Sequence, residues 1–148
     1  MSFAWGQFSR KQLDVIANAD ARLNILDGSV RSGKTISSLV AWIYFVKQAP
    51  PGELLMVGKT ERTLKRNILD PLEQIVGTRN FKYNRGLGEV HLLGRRIYVA
   101  GANDERSEGK IRGMTLAGAY CDELSLYPES FFTMLLSRLS VGGARDRK

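Results

Sequence analysis

Two short stretches of this sequence carry residue types at spacings that can do chemistry. The first is Gly28-Ser29-Val30-Arg31-Ser32-Gly33-Lys34-Thr35, a full match to G-x-x-x-x-G-K-[ST]. The glycines let successive backbone N–H groups turn inward and form an anion nest. A helix beginning near Lys34 adds the positive end of its dipole. In that geometry the Lys34 ammonium reaches the β- and γ-phosphates of a nucleotide, and the Thr35 hydroxyl holds Mg²⁺. The second stretch is Asp122-Glu123, directly after the apolar run Leu116-Ala117-Gly118-Ala119-Tyr120-Cys121. Asp122 suits coordination of Mg²⁺, directly or through water. Glu123 suits polarisation of an attacking water as a general base. The plainer alternatives are a glycine turn that happens to precede a helix, and two solvated acids ahead of a helix near Pro128.

The elements that must position these residues can be read from periodicity. Residues 23–26 form a short apolar strand running into Asp27-Gly28, as a buried strand enters a turn. From Lys34 the pattern turns helical, and Ile36, Leu39, Val40, Ile43, Tyr44 and Val46 cover most of the circumference, which predicts a buried helix. Pro50-Pro51-Gly52 stops it. Residues 54–57 are a second strand, and Thr60 is a plausible N-cap for the helix after it. In that helix Leu64, Ile68, Leu72, Ile75 and Val76 share one face and Arg62, Lys65 and Arg66 another. Pro71 predicts a kink or a break there. Residues 86–94 read as a hairpin, 96–100 and 116–121 as strands, and about 128–139 as a helix; residues 3–17 are loosely helical. Strands alternating with helices predict an α/β fold, a largely parallel sheet sandwiched by helices.

Composition sets the outer bounds. The chain has 148 residues, 43% hydrophobic and 25% charged, the balance of one globular domain and not of a disordered or collagen-like chain. Its longest apolar run, residues 39–46, is too short to span a membrane, and the start Met1-Ser2-Phe3-Ala4-Trp5 has no secretory pattern. The single cysteine, Cys121, cannot close an internal disulfide, and one histidine beside it makes a structural zinc site implausible. Lys and Arg number 22 against 15 Asp and Glu, a net charge of +7 that favours polyanionic partners, nucleic acid first.

The acid pair adds direction: a glutamate beside the aspartate points to hydrolysis as in the additional-glutamate ATPases, away from kinases and GTPases. The ordered set Gln12, residues 28–35, 62–72, 101–113 and Asp122-Glu123 then resembles the ATPase half of the large terminase subunit of tailed bacteriophages, the motor that packages DNA. The likeness runs from about Phe8 to Val141. The phosphate loop and acid pair are common to many motors and helicases. More particular are the arginine inside the loop and Gly101-Ala102-Asn103-Asp104 leading to Lys110-Ile111-Arg112-Gly113.

The resemblance implies a phosphate-loop ATPase of the additional-glutamate type that uses ATP and Mg²⁺. Arg31 resembles the loop arginine that contacts the phosphates in cis, although terminases often place it one position earlier, where this chain has Val30. Arg112 resembles the arginine offered to a neighbouring subunit's ATP in a ring, where it would stabilise charge on the transferring phosphoryl group; the alternative is a surface salt bridge. Gln12 resembles the adenine-contacting glutamine of these motors, or is a solvated helix residue. Implied partners are double-stranded DNA, the portal protein, the terminase small subunit and further copies in a ring, with no membrane. The implied location is the host cytoplasm, transiently at the procapsid portal. The ridge Arg62, Lys65 and Arg66, with Arg79, Lys82, Arg85, Arg95 and Arg96, could meet DNA phosphates or simply be solvated.

The departure from the family lies at the carboxyl end. Terminases continue past Val141 into a strand with a coupling motif and then a nuclease domain, whereas this sequence ends in Gly142-Gly143-Ala144-Arg145-Asp146-Arg147-Lys148. The expected organisation is a partial ATPase domain over residues 1–141 and a polar tail over 142–148. In additional-glutamate ATPases the strand after the acid pair inserts between the phosphate-loop strand and the acid strand. Three outcomes follow: the sheet closes directly, another chain completes it, or the fragment folds poorly. The expected function is ATP hydrolysis powering DNA translocation. The alternatives are a truncated nucleotide-binding fragment without turnover and another additional-glutamate enzyme such as a helicase.

Overall fold

The structure, a computed structural model, describes residues 23–25, 34–123 and 126–139, without the side chains of 23–25, 34 and 136. Residues 28–33 of the phosphate loop, the 3–17 segment with Gln12, and the 142–148 tail lie outside the described residues.

The described residues form a mixed six-stranded sheet flanked by helices. In chain order the elements are β1 (Leu23–Ile25), α1 (Lys34–Gln48), β2 (Glu53–Gly58) and α2 (Glu61–Leu64), which passes through a wide turn, Lys65–Leu69, into α3 (Asp70–Val76). Then come β3 (Phe81–Asn84), β4 (Glu89–Leu92), β5 (Arg95–Gly101), α4 (Glu105–Arg112), β6 (Leu116–Cys121) and α5 (Glu129–Arg138). The strand order is β1-β6-β2-β5-β4-β3, with the first four strands parallel and β4 and β3 antiparallel at the far edge. Among the described residues no strand lies between β1 and the acid strand: β1 pairs directly with β6, so of the three outcomes the first is observed.

Alternation along the strands builds two cores. Leu54 and Met56 of β2 face α1, α2 and α3, where Leu39, Trp42, Val46, Leu64, Ile68 and Leu72 are buried. Leu55 and Val57 face α4 and α5, where Ile111, Phe131, Leu135 and Leu139 are buried. A strand covered on both faces must be apolar throughout, which is why β2 and β6 read as unbroken hydrophobic runs. Helix α1 is less enclosed than its pattern predicts: Leu39, Val40 and Val46 are buried, but Tyr44 is 50% exposed.

Local chemistry explains the breaks. Thr60 caps α2 through a reciprocal pair with Thr63, each side chain accepting from the other's backbone N–H. Pro71 could not donate to an α-type partner, and the helix widens just before it: the Asp70 N–H reaches back to the Lys65 carbonyl, and α3 restarts with Pro71 in its first turn. The predicted hairpin is instead one strand, β4, between two turns, and β3 completes a three-stranded meander. Leu93 (φ 51°) and Gly94 (φ 81°) make the tight turn into β5.

Arg95 is taken out of the basic surface. Its guanidinium donates to the carbonyls of Val46 (3.4 Å), Ala49 (2.8 Å), Pro50 (3.2 Å) and Gly52 (3.3 Å), closing the C-terminal end of α1 onto the start of β5.

Helix α1 runs back along β6 at close range because Gly118 has no side chain. A Cβ there would lie 2.3 Å from Cε2 and 2.5 Å from Cζ of Phe45, whose ring stacks on Trp42 at 5.4 Å. Gly118→Ala is therefore expected to lower stability by about 1–3 kcal/mol in a urea titration. In a Phe45→Ala background the same methyl group should cost less than about 0.5 kcal/mol, because its collision partner is gone. Equal costs in the two backgrounds would contradict the contact.

Candidate functional site

Parallel pairing brings the carboxyl ends of four strands to one edge, where α/β sheets hold ligands. Ile25 of β1 and Val57 of β2 are both level with Cys121 of β6, and Gly58 is level with Gly101 of β5. The end of β1 therefore lies beside the end of β6, which runs directly into Asp122-Glu123. Close approach at this edge again depends on a glycine. A Cβ on Gly101 would come 2.9 Å from Thr60 Cα and from the Glu61 nitrogen, so only a glycine lets α2 begin across the strand ends.

The acid pair is held by backbone and by one tyrosine. The Asp122 N–H donates to the Val57 carbonyl at 2.8 Å, carrying the β6–β2 ladder one residue past the strand. The Tyr127 hydroxyl lies 2.6 Å from the Asp122 carbonyl and 2.8 Å from that of Val57, sharing its proton between the two. Its ring meets Phe131 edge-on at 5.7 Å. Burial pushes the Tyr127 phenol far above its ordinary pKa, so it stays a donor. Glu123 takes the left-handed conformation, φ 55°, and its carbonyl accepts from Leu126 N–H at 3.0 Å to close the turn. That conformation costs a non-glycine residue on the order of 1 kcal/mol, and such outliers cluster at functional sites.

The carboxyl of Asp122 is pushed up to about 6, first by burial and then by the neighbouring charge of Glu123, with a hydrogen bond from the Glu123 backbone pulling the other way. A cation beside it would relieve both effects. Asp122 and the half-buried Thr35 are hard oxygen donors, the set that suits Mg²⁺. Among the described residues no three His, Cys, Asp or Glu side chains gather as a metal cage. Mg²⁺ usually takes only one or two carboxylates and completes its shell with phosphate oxygens and water, so the residues present fit this ion. Buried Cys121, its thiol pushed up to about 12, is not a candidate ligand or nucleophile.

The other sequence-predicted residues fall as follows. Lys34 opens α1, and Thr35 is in its first turn. Gly28, Ser29, Val30, Arg31, Ser32, Gly33 and Gln12 lie outside the described residues. Arg112 is not with the acids of its own chain. It ends α4, ahead of the strand whose far end carries Asp122, and the length of β6 separates the two by about 20 Å. Its side chain is 65% exposed and pairs with Glu108 at 2.8 Å, while its carbonyl accepts from Arg138 at 3.2 Å. In the basic ridge, Lys65 pairs with Asp70 at 2.9 Å and Arg66 donates to Asn67 at 3.4 Å.

Sequence reasoning missed Tyr127 and a second polar link behind the acids. Ser38 of α1 and Tyr120 of β6, both buried, place their hydroxyl oxygens 2.6 Å apart, and the Ser38 hydroxyl donates to the Thr35 carbonyl at 2.8 Å. The available signal was a serine on the apolar face of a helix and a tyrosine inside an apolar strand.

No family model matches the chain, and no curated protein does. Solved structures do. The chain is 33% identical to the large terminase from a thermophilic bacteriophage, with a TM-score of 0.77 over 93% of this chain and 37% of that one. The same protein in complex with ADP matches at 31% identity and TM-score 0.74, and in complex with ATP-gamma-S at 31% and 0.73; both span 93% of this chain, and 37% and 36% of theirs. The large terminase ATPase domain of Thermus phage P74-26 shares the fold, with TM-score 0.59 over 89% of this chain and 61% of that one at 15% identity. The chain thus spans little more than a third of the length of the thermophilic phage protein.

The raised carboxyl of Asp122 has a sign that can be checked. The folded chain holds this proton more tightly than the unfolded chain, so stability falls as pH rises from about 4 through about 6. Asp122→Asn is expected to stabilise the metal-free chain at pH 7 by about 1–2 kcal/mol, reduced from the full shift because solvent screens this part-exposed carboxyl, and to flatten that part of the profile. Urea titrations at pH 4, 5, 6 and 7 measure both. A variant that is less stable at pH 7 would contradict the assigned strain.

Proposed function

Because the chain belongs with the bacteriophage large terminases, we propose that it is the nucleotide-binding part of a DNA-packaging ATPase of the phosphate-loop, additional-glutamate type. The observation that carries this reading is the register Ile25–Cys121, which brings the end of the phosphate-loop strand beside Asp122-Glu123. The complexes of the thermophilic phage terminase with ADP and ATP-gamma-S support ATP as the ligand.

In this reading the backbone of residues 28–33 cradles the phosphates and Lys34 pairs with the β- and γ-oxygens. Thr35 and Asp122 hold Mg²⁺, which when bound offsets charge on the phosphates. Glu123, set apart by its left-handed backbone, orients a water toward the γ-phosphorus and accepts its proton. Arg31 faces the phosphates from within the loop and Gln12 the adenine. Arg112 lies too far along β6 to serve its own nucleotide, which favours a role toward a neighbouring copy in a ring; Glu108 would have to release it. Double-stranded DNA, the portal and the small subunit are the partners, met in the host cytoplasm at the procapsid. Exposed Arg62, Lys65, Arg66, Arg79, Lys82, Arg85 and Arg96 supply the positive surface for DNA, without Arg95.

Titration calorimetry with MgATP and a phosphate-release assay test the reading together. Glu123→Gln should keep nucleotide affinity within about threefold while turnover falls about 100-fold or more. Undiminished turnover removes Glu123 from the base role. Binding without turnover in the unsubstituted chain makes it a nucleotide-binding fragment.

A further inference from the structure

Ser38 and Tyr120 are a buried polar pair that the proposed hydrolysis does not use. Ser38 is 5% exposed and Tyr120 8%, so water reaches neither hydroxyl freely. Their oxygens lie 2.6 Å apart, a short O–H···O contact, while Ser38 Oγ also lies 2.8 Å from the Thr35 carbonyl oxygen. A carbonyl only accepts, so the single Ser38 proton goes to Thr35, and the Tyr120 phenol must donate to Ser38. The order Tyr120 → Ser38 → Thr35 is thereby fixed.

The placement of this chain of hydroxyls matters more than its strength. Thr35 and Ser38 are three residues apart on α1 and share a face. Tyr120 and Asp122 are two apart along β6 and its extension, and share a face. The Ser38–Tyr120 contact is therefore a rung one step behind the pair Thr35 and Asp122. Further back, Phe45 fills the space over Gly118. Trp42, tilted 57° against the Tyr120 ring at 5.8 Å and stacked on Phe45, restrains the phenol from swinging away. A serine and tyrosine here gain little over an alanine and phenylalanine in burial, because desolvation offsets most of a hydrogen bond. What an apolar pair lacks is direction: two hydroxyls specify both the separation and the rotation of α1 on β6.

We propose that Ser38 and Tyr120 are positioning residues for a divalent cation, holding the Thr35 hydroxyl at the distance from Asp122 that the ion needs. This rests on the reading of residues 28–35 and Asp122 as a Mg–nucleotide site. Neither residue touches nucleotide or metal; both act through the first turn of α1.

The test measures ATP affinity by calorimetry across a Mg²⁺ series and in EDTA, for the unsubstituted chain, Tyr120→Phe, Ser38→Ala and Ser38→Thr. The Mg²⁺ concentration for half of the affinity gain should rise about three- to tenfold in Tyr120→Phe and Ser38→Ala, the scale of one directional hydrogen bond. Affinity in EDTA should stay within about twofold, well inside that scale, and Ser38→Thr, which keeps a hydroxyl, should restore most of the response. Should Tyr120→Phe fail to fold, the two Ser38 variants carry the comparison. A lowered melting temperature with an unchanged Mg²⁺ midpoint would make the pair merely structural and overturn the proposal, leaving the ATPase reading intact. No nucleotide binding by the unsubstituted chain, with or without Mg²⁺, would overturn both.

Discussion

The close seating of α1 on β6 is the constraint on which the rest of this structure depends. Helix α1 starts at Lys34, the end of the proposed phosphate loop, and β6 ends where the acids begin, so in that reading the gap between them sets the geometry of a ligand held there. Three features fix the seat of α1: Phe45 over the bare backbone of Gly118 and the hydroxyl contact of Ser38 and Tyr120 set the gap to β6, and the guanidinium of Arg95 ties the helix's far end to β5. The first is steric, the second directional, the third charge-assisted. None involves a residue that would contact nucleotide.

Much of this fold was legible because it rests on local patterns. The apolar runs of β2 and β6, the proline stop after α1, the Thr60 cap and the disturbance at Pro71 all follow from residue types at short range. Helix α4 was not recognised, because Glu105-Arg106-Ser107-Glu108-Gly109-Lys110-Ile111-Arg112 has one buried apolar residue and so no periodicity. Its other signals were present: Asp104 accepting from the Arg106 N–H, acids in the first turn and bases in the last. Strand β3 alternates apolar and polar residues, Phe81-Lys82-Tyr83-Asn84, but over only four residues, the least at which that pattern signals a strand. The direct pairing of β1 with β6 is a matter of topology, and no single segment encodes it.

The candidate site was legible in its types and not in its distances. An apolar strand ending in two acids places them at the sheet edge, where they are found. The 82-residue separation of Ser38 and Tyr120 puts their contact beyond any local reading. The same holds for Tyr127, whose hydroxyl meets carbonyls from two different strands' ends. Arg112 shows the converse: it is near Asp122 in sequence, but a turn and a whole strand carry the chain away to the opposite end of the sheet. Arg95 counted as one more positive charge until its four carbonyl partners gave it a purely internal task.

The backbone at Glu123 has a consequence for which residues this turn will accept. Its dihedral belongs to the region where glycine sits at ease and asparagine tolerably, and a long acidic side chain is a poor choice if folding alone decides. Random drift under selection for stability would push this position toward glycine, shedding the carboxylate as it relaxed. Under the role proposed for its carboxylate, ease of folding and usefulness pull apart at this point, and the Tyr127 hydroxyl braces the carbonyl just before it.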